Sequence, residues 1–211
     1  MVQRGIIGSF YTACEWIVRL AYVNVLWVGF TLMGFVVFGI FPATVAAFTI
    51  SRKWINGESD IPIFRQFWQT YKKEFLQSNL LGLIIFIIGS ILYFDLYFFY
   101  NLEGLYAKLL FYLFVALAVN YGVMLLHIFP IYVHYDLKRM QYLKYALIIG
   151  MSNPFHTFSM VLILIFLYFL LDVAPAAFLF FSMAPLSYMY MLLSVHIHRK
   201  LEQKKQLIES V

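Results

Sequence analysis

Five histidines, His127, His134, His156, His196 and His198, are the first residues that could do chemistry. Imidazole is a common ligand for zinc and similar ions. His127 and His134 lie seven residues apart, on one face of a helix, yet no Cys, Asp or Glu stands at ligand spacing beside them. His196 and His198 point in different directions. The pattern favours histidines snorkelling at a membrane interface, so no metal or cofactor is expected. A second set is polar residues inside apolar runs: Asn24, Asp95 and Asn120. Polar groups at membrane depth face the bundle interior and often mark function. Asp95 sits near the end of its run, where a solvated carboxylate suffices. Asn24 and Asn120 read first as hydrogen-bonding groups between helices. Catalysis has no motif behind it. There is no phosphate-binding glycine loop, so the chain is not itself an ATPase. There is also no nucleophile elbow and no pair of intramembrane carboxylates, so an enzyme is not expected.

The elements that position these residues are membrane spans. The chain is 64% hydrophobic and 12% charged, against about 25% charged in a soluble domain. Its net charge of +5 comes from basic residues beside apolar runs. That is a pattern of membrane orientation, not of a nucleic-acid face. No cleavable signal peptide is expected, and the lone Cys14 excludes an internal disulfide. Residues 1–211 read as a single integral membrane domain.

A spanning helix needs about 20 apolar residues, and five stretches qualify: 20–41, 79–99, 106–127, 158–171 and 175–195. The fold class is therefore all-α and polytopic, with about five transmembrane helices joined by cytoplasmic amphipathic ones. The connection after span one carries Arg52, Lys53, Arg65, Lys72 and Lys73. That after span three carries Lys138, Arg139 and Lys144, and the tail carries Arg199, Lys200, Lys204 and Lys205. These regions are expected in the cytoplasm, which with five spans puts the N-terminus outside and the C-terminus inside. Arg4 and Arg19 run against that orientation. Residues 5–19 read as an interfacial helix or an extension of span one, since a sixth span would place Glu15 and Arg19 in lipid.

Two tripeptides organise the chain: Ile40-Phe41-Pro42 and Ile128-Phe129-Pro130, 88 residues apart. Each ends an apolar run and precedes an amphipathic basic stretch and another span. This suggests a parallel internal repeat, units 20–100 and 106–173, with an extra span at 175–196. Each proline is expected to kink a helix, Pro42 with Thr44 satisfying a freed carbonyl. Ala43, Ala46 and Ala47 would allow close helix packing. Asn56-Gly57 and Asn153-Pro154 read as helix stops.

Asn24-Val25-Leu26-Trp27, Gly39-Ile40-Phe41-Pro42-Ala43-Thr44-x-Ala46 and Arg52-Lys53-Trp54 resemble the N-terminal signature of the YesL-like family. These are small bacterial integral membrane proteins classed as a domain of unknown function. The likeness extends through Phe64–Phe75 and more weakly along the chain, departing at Phe41 and in the stretch Met33–Gly39. Only Pro42 of the two prolines belongs to the signature. The resemblance implies a bacterial plasma-membrane protein, mostly of Gram-positive lineages. It also implies a link to carbohydrate uptake, as an accessory to ATP-driven import. No catalytic residue is carried over with it.

The expected function is thus a non-catalytic accessory or regulatory partner of carbohydrate (oligosaccharide) ABC import. Its contacts would be membrane lipids, importer subunits and further copies of itself. Trp54, Phe67, Trp68, Tyr71, Tyr142 and Tyr145 are the candidate partner surface. The alternative is a small oligomeric transporter or channel for sugar-related solutes, which needs a polar path through Asn24, Asp95 and Asn120.

Overall fold

The computed structural model describes residues 6–195. His196, His198 and the basic tail lie outside them, as does Arg4. Eight α-helices follow in order: α1 (Ile6–Met33), α2 (Ile40–Ile55), α3 (Ile63–Tyr100), α4 (Leu105–His134), α5 (Arg139–Ser152), α6 (Pro154–Val173), α7 (Phe178–Phe181) and α8 (Met183–Val195). A 3-10 turn, Pro175–Ala177, leads into α7. The described residues contain no strand. Helices α1, α3, α4 and α6 are long and apolar enough to cross a membrane. The pair Pro175–Phe181 and Met183–Val195, bent by 56°, makes a fifth span if taken as one. Large apolar side chains such as Phe86, Phe94 and Phe166 face outward, as lipid requires. The protein is an all-α, multi-pass membrane protein.

Span one differs from the expectation. The run 20–41 is not one helix, while residues 6–19 join its first part directly, as the reading of that stretch as an extension of span one has it. Helix α1 is continuous from Ile6 and stops at Met33. The chain then reverses through Gly34–Gly39, with Phe35 at φ 54° and Val36 at φ 63°. The stretch holds no polar residue, so hydropathy cannot see the break. Two glycines permit it. A Cβ on Gly39 would overlap the carbonyl oxygens of Thr31 and Phe30, and one on Gly34 would overlap Gly39 itself.

Pro42 consequently kinks no span. It sits in the first turn of α2, where its missing N–H would have had no helical partner. Pro130 lies inside α4, in its last turns. The two tripeptides thus serve opposite ends of helices. Two stop signals fall where the sequence puts them: α2 ends at Asn56, with Gly57 at φ 93°, and α5 ends at Asn153, with Pro154 opening α6.

Helix α3 fuses the basic aromatic segment 64–75 with span two in one rod of 38 residues, about 57 Å at 1.5 Å per residue. Helices α1 to α4 pack as successive antiparallel neighbours. Trp27 meets Thr44 near the first turn and Trp16 meets Trp54 at the far end. Phe41 lies on Gly82, while Lys53 bonds Gln66. Phe114 stacks on Phe99, Tyr121 bonds the Ile85 carbonyl, and Tyr132 bonds Glu74. Helix α2 is the centre, with Ala43, Ala46, Ala47 and Ile50 fully buried. Its Val45 is buried in one group with Ile128 and Ile131 of α4, its Ile50 in another with Val23 of α1, and its Phe48 in a third with Met160 of α6 and Met191 of α8.

The turn gives a direct test. Gly34→Ala or Gly39→Ala should lower the thermal unfolding midpoint of the detergent-solubilised protein by several degrees. Gly29→Ala, whose Cβ meets nothing within 4 Å, should leave it unchanged. Equal effects at all three positions would contradict the hairpin.

Candidate functional site

Two arrangements of polar residues stand out in this apolar fold. The first is built on Asn24, which is fully buried on α1. Its Nδ2 donates to the carbonyls of Phe178 and Leu179, both at 3.0 Å, and reaches Ser182 Oγ at 3.1 Å. Its Oδ1 accepts from the backbone N–H of Met183 at 2.7 Å and of Ala184 at 2.9 Å. One primary amide thereby serves the free carbonyls of α7 and the free N–H groups of α8. A break in a lipid-embedded helix exposes such groups, and each must find a partner inside the protein. An amide, carrying two donors and an acceptor oxygen, can serve both ends at once.

Other buried bonds tie neighbouring elements in the same way. Trp27 Nε1 donates to Thr44 Oγ1 at 3.0 Å, so the threonine holds α1 to α2 and does not cap a carbonyl freed by Pro42. Ser51 and Ser187 pair at 2.9 Å between α2 and α8. His127 Nε2 lies 2.9 Å from Thr157 Oγ1, whose hydroxyl also reaches the Gly150 carbonyl. This histidine joins α4, α5 and α6. Among the described residues no three metal-ligating side chains converge.

The second arrangement is an open polar cavity of about 680 Å³ at the basic end of the bundle. Helices α2, α3 and α4, the 135–138 loop and Tyr142 of α5 wall it. Arg52 donates to the Val133 carbonyl, bridging α2 and α4. Tyr132 donates to Glu74 Oε2 at 2.7 Å, and Lys73 Nζ stands 3.7 Å from Glu74 Oε1. Gln66 bonds Lys53 and Thr70, while Gln69, Gln77 and the exposed Asp136 complete the rim. Tyr142 donates to the Tyr135 carbonyl and accepts from the Leu137 N–H. Burial, with the Asp136 and Glu74 carboxylates nearby, raises its pKa and keeps it protonated.

The family described as "Protein of unknown function, DUF624" matches residues 20–96. Three uncharacterized proteins of Bacillus subtilis (strain 168) align over most of the chain. YteU is 40% identical over 209 residues, covering 96% of this chain and 91% of its own. YesL is 35% identical, covering 92% and 91%, and YesV is 34% identical, covering 86% and 87%. The chain belongs to the DUF624 family. No solved structure matches it.

The DUF624 match spans Asn24, Trp27, Gly39, Pro42, Ala43 and Thr44. In the fold these residues make the α1–α2 hairpin, and Asn24 makes the clamp on α7 and α8. Within the single chain Asn24, Asp95 and Asn120 are not brought together. Asn120 bonds the Ala116 carbonyl of its own helix, and Asp95 stands in the last turns of α3. Most of the expected partner surface is interior. Trp54, Phe67, Tyr71 and Tyr142 are buried, Trp68 is half-buried, and only Tyr145 is exposed. The aromatic stripe faces inward because Phe30 of α1 inserts among Phe67, Trp68 and Tyr71. Reasoning from sequence passed over Glu74, although it is the one acid in the basic segment 63–77.

Asn24→Ala would orphan two carbonyls and two N–H groups, at about 1–3 kcal/mol for each group left buried and unpaired. It should depress the unfolding midpoint markedly in a detergent melt, whereas Asn120→Ala should not. A silent Asn24→Ala would show that the helix break is satisfied by other means.

Proposed function

We propose that this DUF624 protein is a non-catalytic, multi-pass accessory of carbohydrate ABC import in the bacterial plasma membrane, acting through the polar end of its bundle. One observation carries the reading. Polar and charged side chains gather around an open cavity at that end, with Gln69, Lys73, Gln77 and Asp136 exposed at its rim, while Asn24, Asp95 and Asn120 stay apart along the spans. An accessory needs a surface where a partner or solute is met, and it needs no path through the membrane. The importer as partner rests on the family resemblance set out above. Gentle solubilisation of the tagged full chain should recover importer membrane subunits, identified by mass spectrometry. Recovery of only lipid and further copies of the chain would overturn the reading. Solute flux in proteoliposomes, abolished by Asp95→Ala, would favour the oligomeric transporter in its place.

The same reading sets the basic end in the cytoplasm, by the distribution of Lys and Arg. Because α1 and α2 form a hairpin, the start of α1 returns to the side of the loop between α2 and α3. Arg19 there donates to the Ser59 carbonyl at 2.8 Å and pairs with Glu15. The N-terminal part of α1 is then cytoplasmic, the reverse of the orientation expected from a single span at 20–41, and Arg19 no longer opposes the charge rule. Cys14 is exposed on this part of α1. A membrane-impermeant maleimide should spare it in intact cells and label it in inside-out vesicles. Labelling in intact cells would restore the outside N-terminus.

A further inference from the structure

We propose that the polar cavity binds a zwitterionic amino-phosphate headgroup, supplied by an ethanolamine phospholipid of the adjoining leaflet. The charges of the cavity argue for a ligand carrying both signs. Arg52 and Lys73 contribute two cations, Glu74 and Asp136 two carboxylates. A simple anion entering it would face both carboxylates, and a simple cation would face both bases. A headgroup with a phosphate and an ammonium finds a partner for each. Glu74 is held in place for this role. Its side chain is only 18% exposed, and Tyr132 fixes one of its oxygens. The exposed Gln69 and Gln77 add neutral donors and acceptors at the rim. At about 680 Å³ the cavity falls within the 300–1,000 Å³ usual for small-molecule sites.

A second feature points to a lipid as the source. Tyr135 also walls an apolar cleft of about 340 Å³, lined by Leu137, Tyr145, Ile148 and Ile149. Tyr145 and Ile148 are themselves exposed. Head-binding and chain-binding surfaces thus meet at one residue. The ammonium of ethanolamine brings three donors for the carboxylates, which a quaternary choline lacks. Ethanolamine should therefore be preferred over choline, and over an anionic glycerol headgroup.

The full-length protein, delipidated in detergent, can be titrated with phosphatidylethanolamine, phosphatidylcholine or phosphatidylglycerol and followed by native mass spectrometry. One phosphatidylethanolamine should bind per chain, at least tenfold more tightly than either of the other lipids. Lys73→Gln and Asp136→Asn, both at exposed positions, should each weaken it several-fold without changing the unfolding midpoint. Equal binding of the three lipids, or indifference to both variants, would overturn the site and leave only annular lipid. Soluble glycerophosphoethanolamine binding as tightly as the intact lipid would overturn the lipid source.

Discussion

Everything in this fold is arranged around α2, a helix of 16 residues with almost no surface of its own. In lipid the hydrophobic effect gives helices little reason to associate, so van der Waals contact and hydrogen bonds must hold the bundle. Ala43, Ala46 and Ala47 let neighbouring backbones approach α2 closely. Thr44 and Ser51 then fasten it to α1 and α8. Phe41 and Phe48 lie against Phe129 of α4, which extends the contact to the second half of the chain. A larger residue at an alanine of this helix would push several elements outward together.

The helical class and the approximate number of spans were legible because composition and run length report them directly. So were the stops at Asn56-Gly57 and Asn153-Pro154, where local backbone chemistry decides. The first reversal was not legible. Gly34 and Gly39 are separated by four apolar residues, and hydropathy is blind to chain direction in such a stretch. A reversal inside an apolar run changes the number of times the chain turns back, which a count of apolar runs does not register.

The functional residues were harder to find for a related reason. The aromatic stripe on the first part of α3 looked like a partner surface because an amphipathic helix shows which face is apolar but not what covers it. Phe30 covers it, from a helix more than thirty residues earlier. Glu74 and Tyr132 are 58 positions apart, and each is unremarkable alone. Their meeting depends on the antiparallel register of α3 and α4, which no local pattern encodes. Asn24 was legible as a helix-joining group, but not as a cap for two helix ends some 154 to 160 residues away.

The break between α7 and α8 has a consequence for how the chain assembles. Its exposed backbone groups have no good partner until Asn24 reaches them, and Asn24 stands more than 150 residues before them in the chain. The opening helix must hold that amide available while more than 150 residues are inserted after it. The closing segment can then dock only onto an assembled hairpin. Docking of α7 and α8 onto α1 works as a clasp does, and a chain cut short of α7 leaves that amide with nothing to bind.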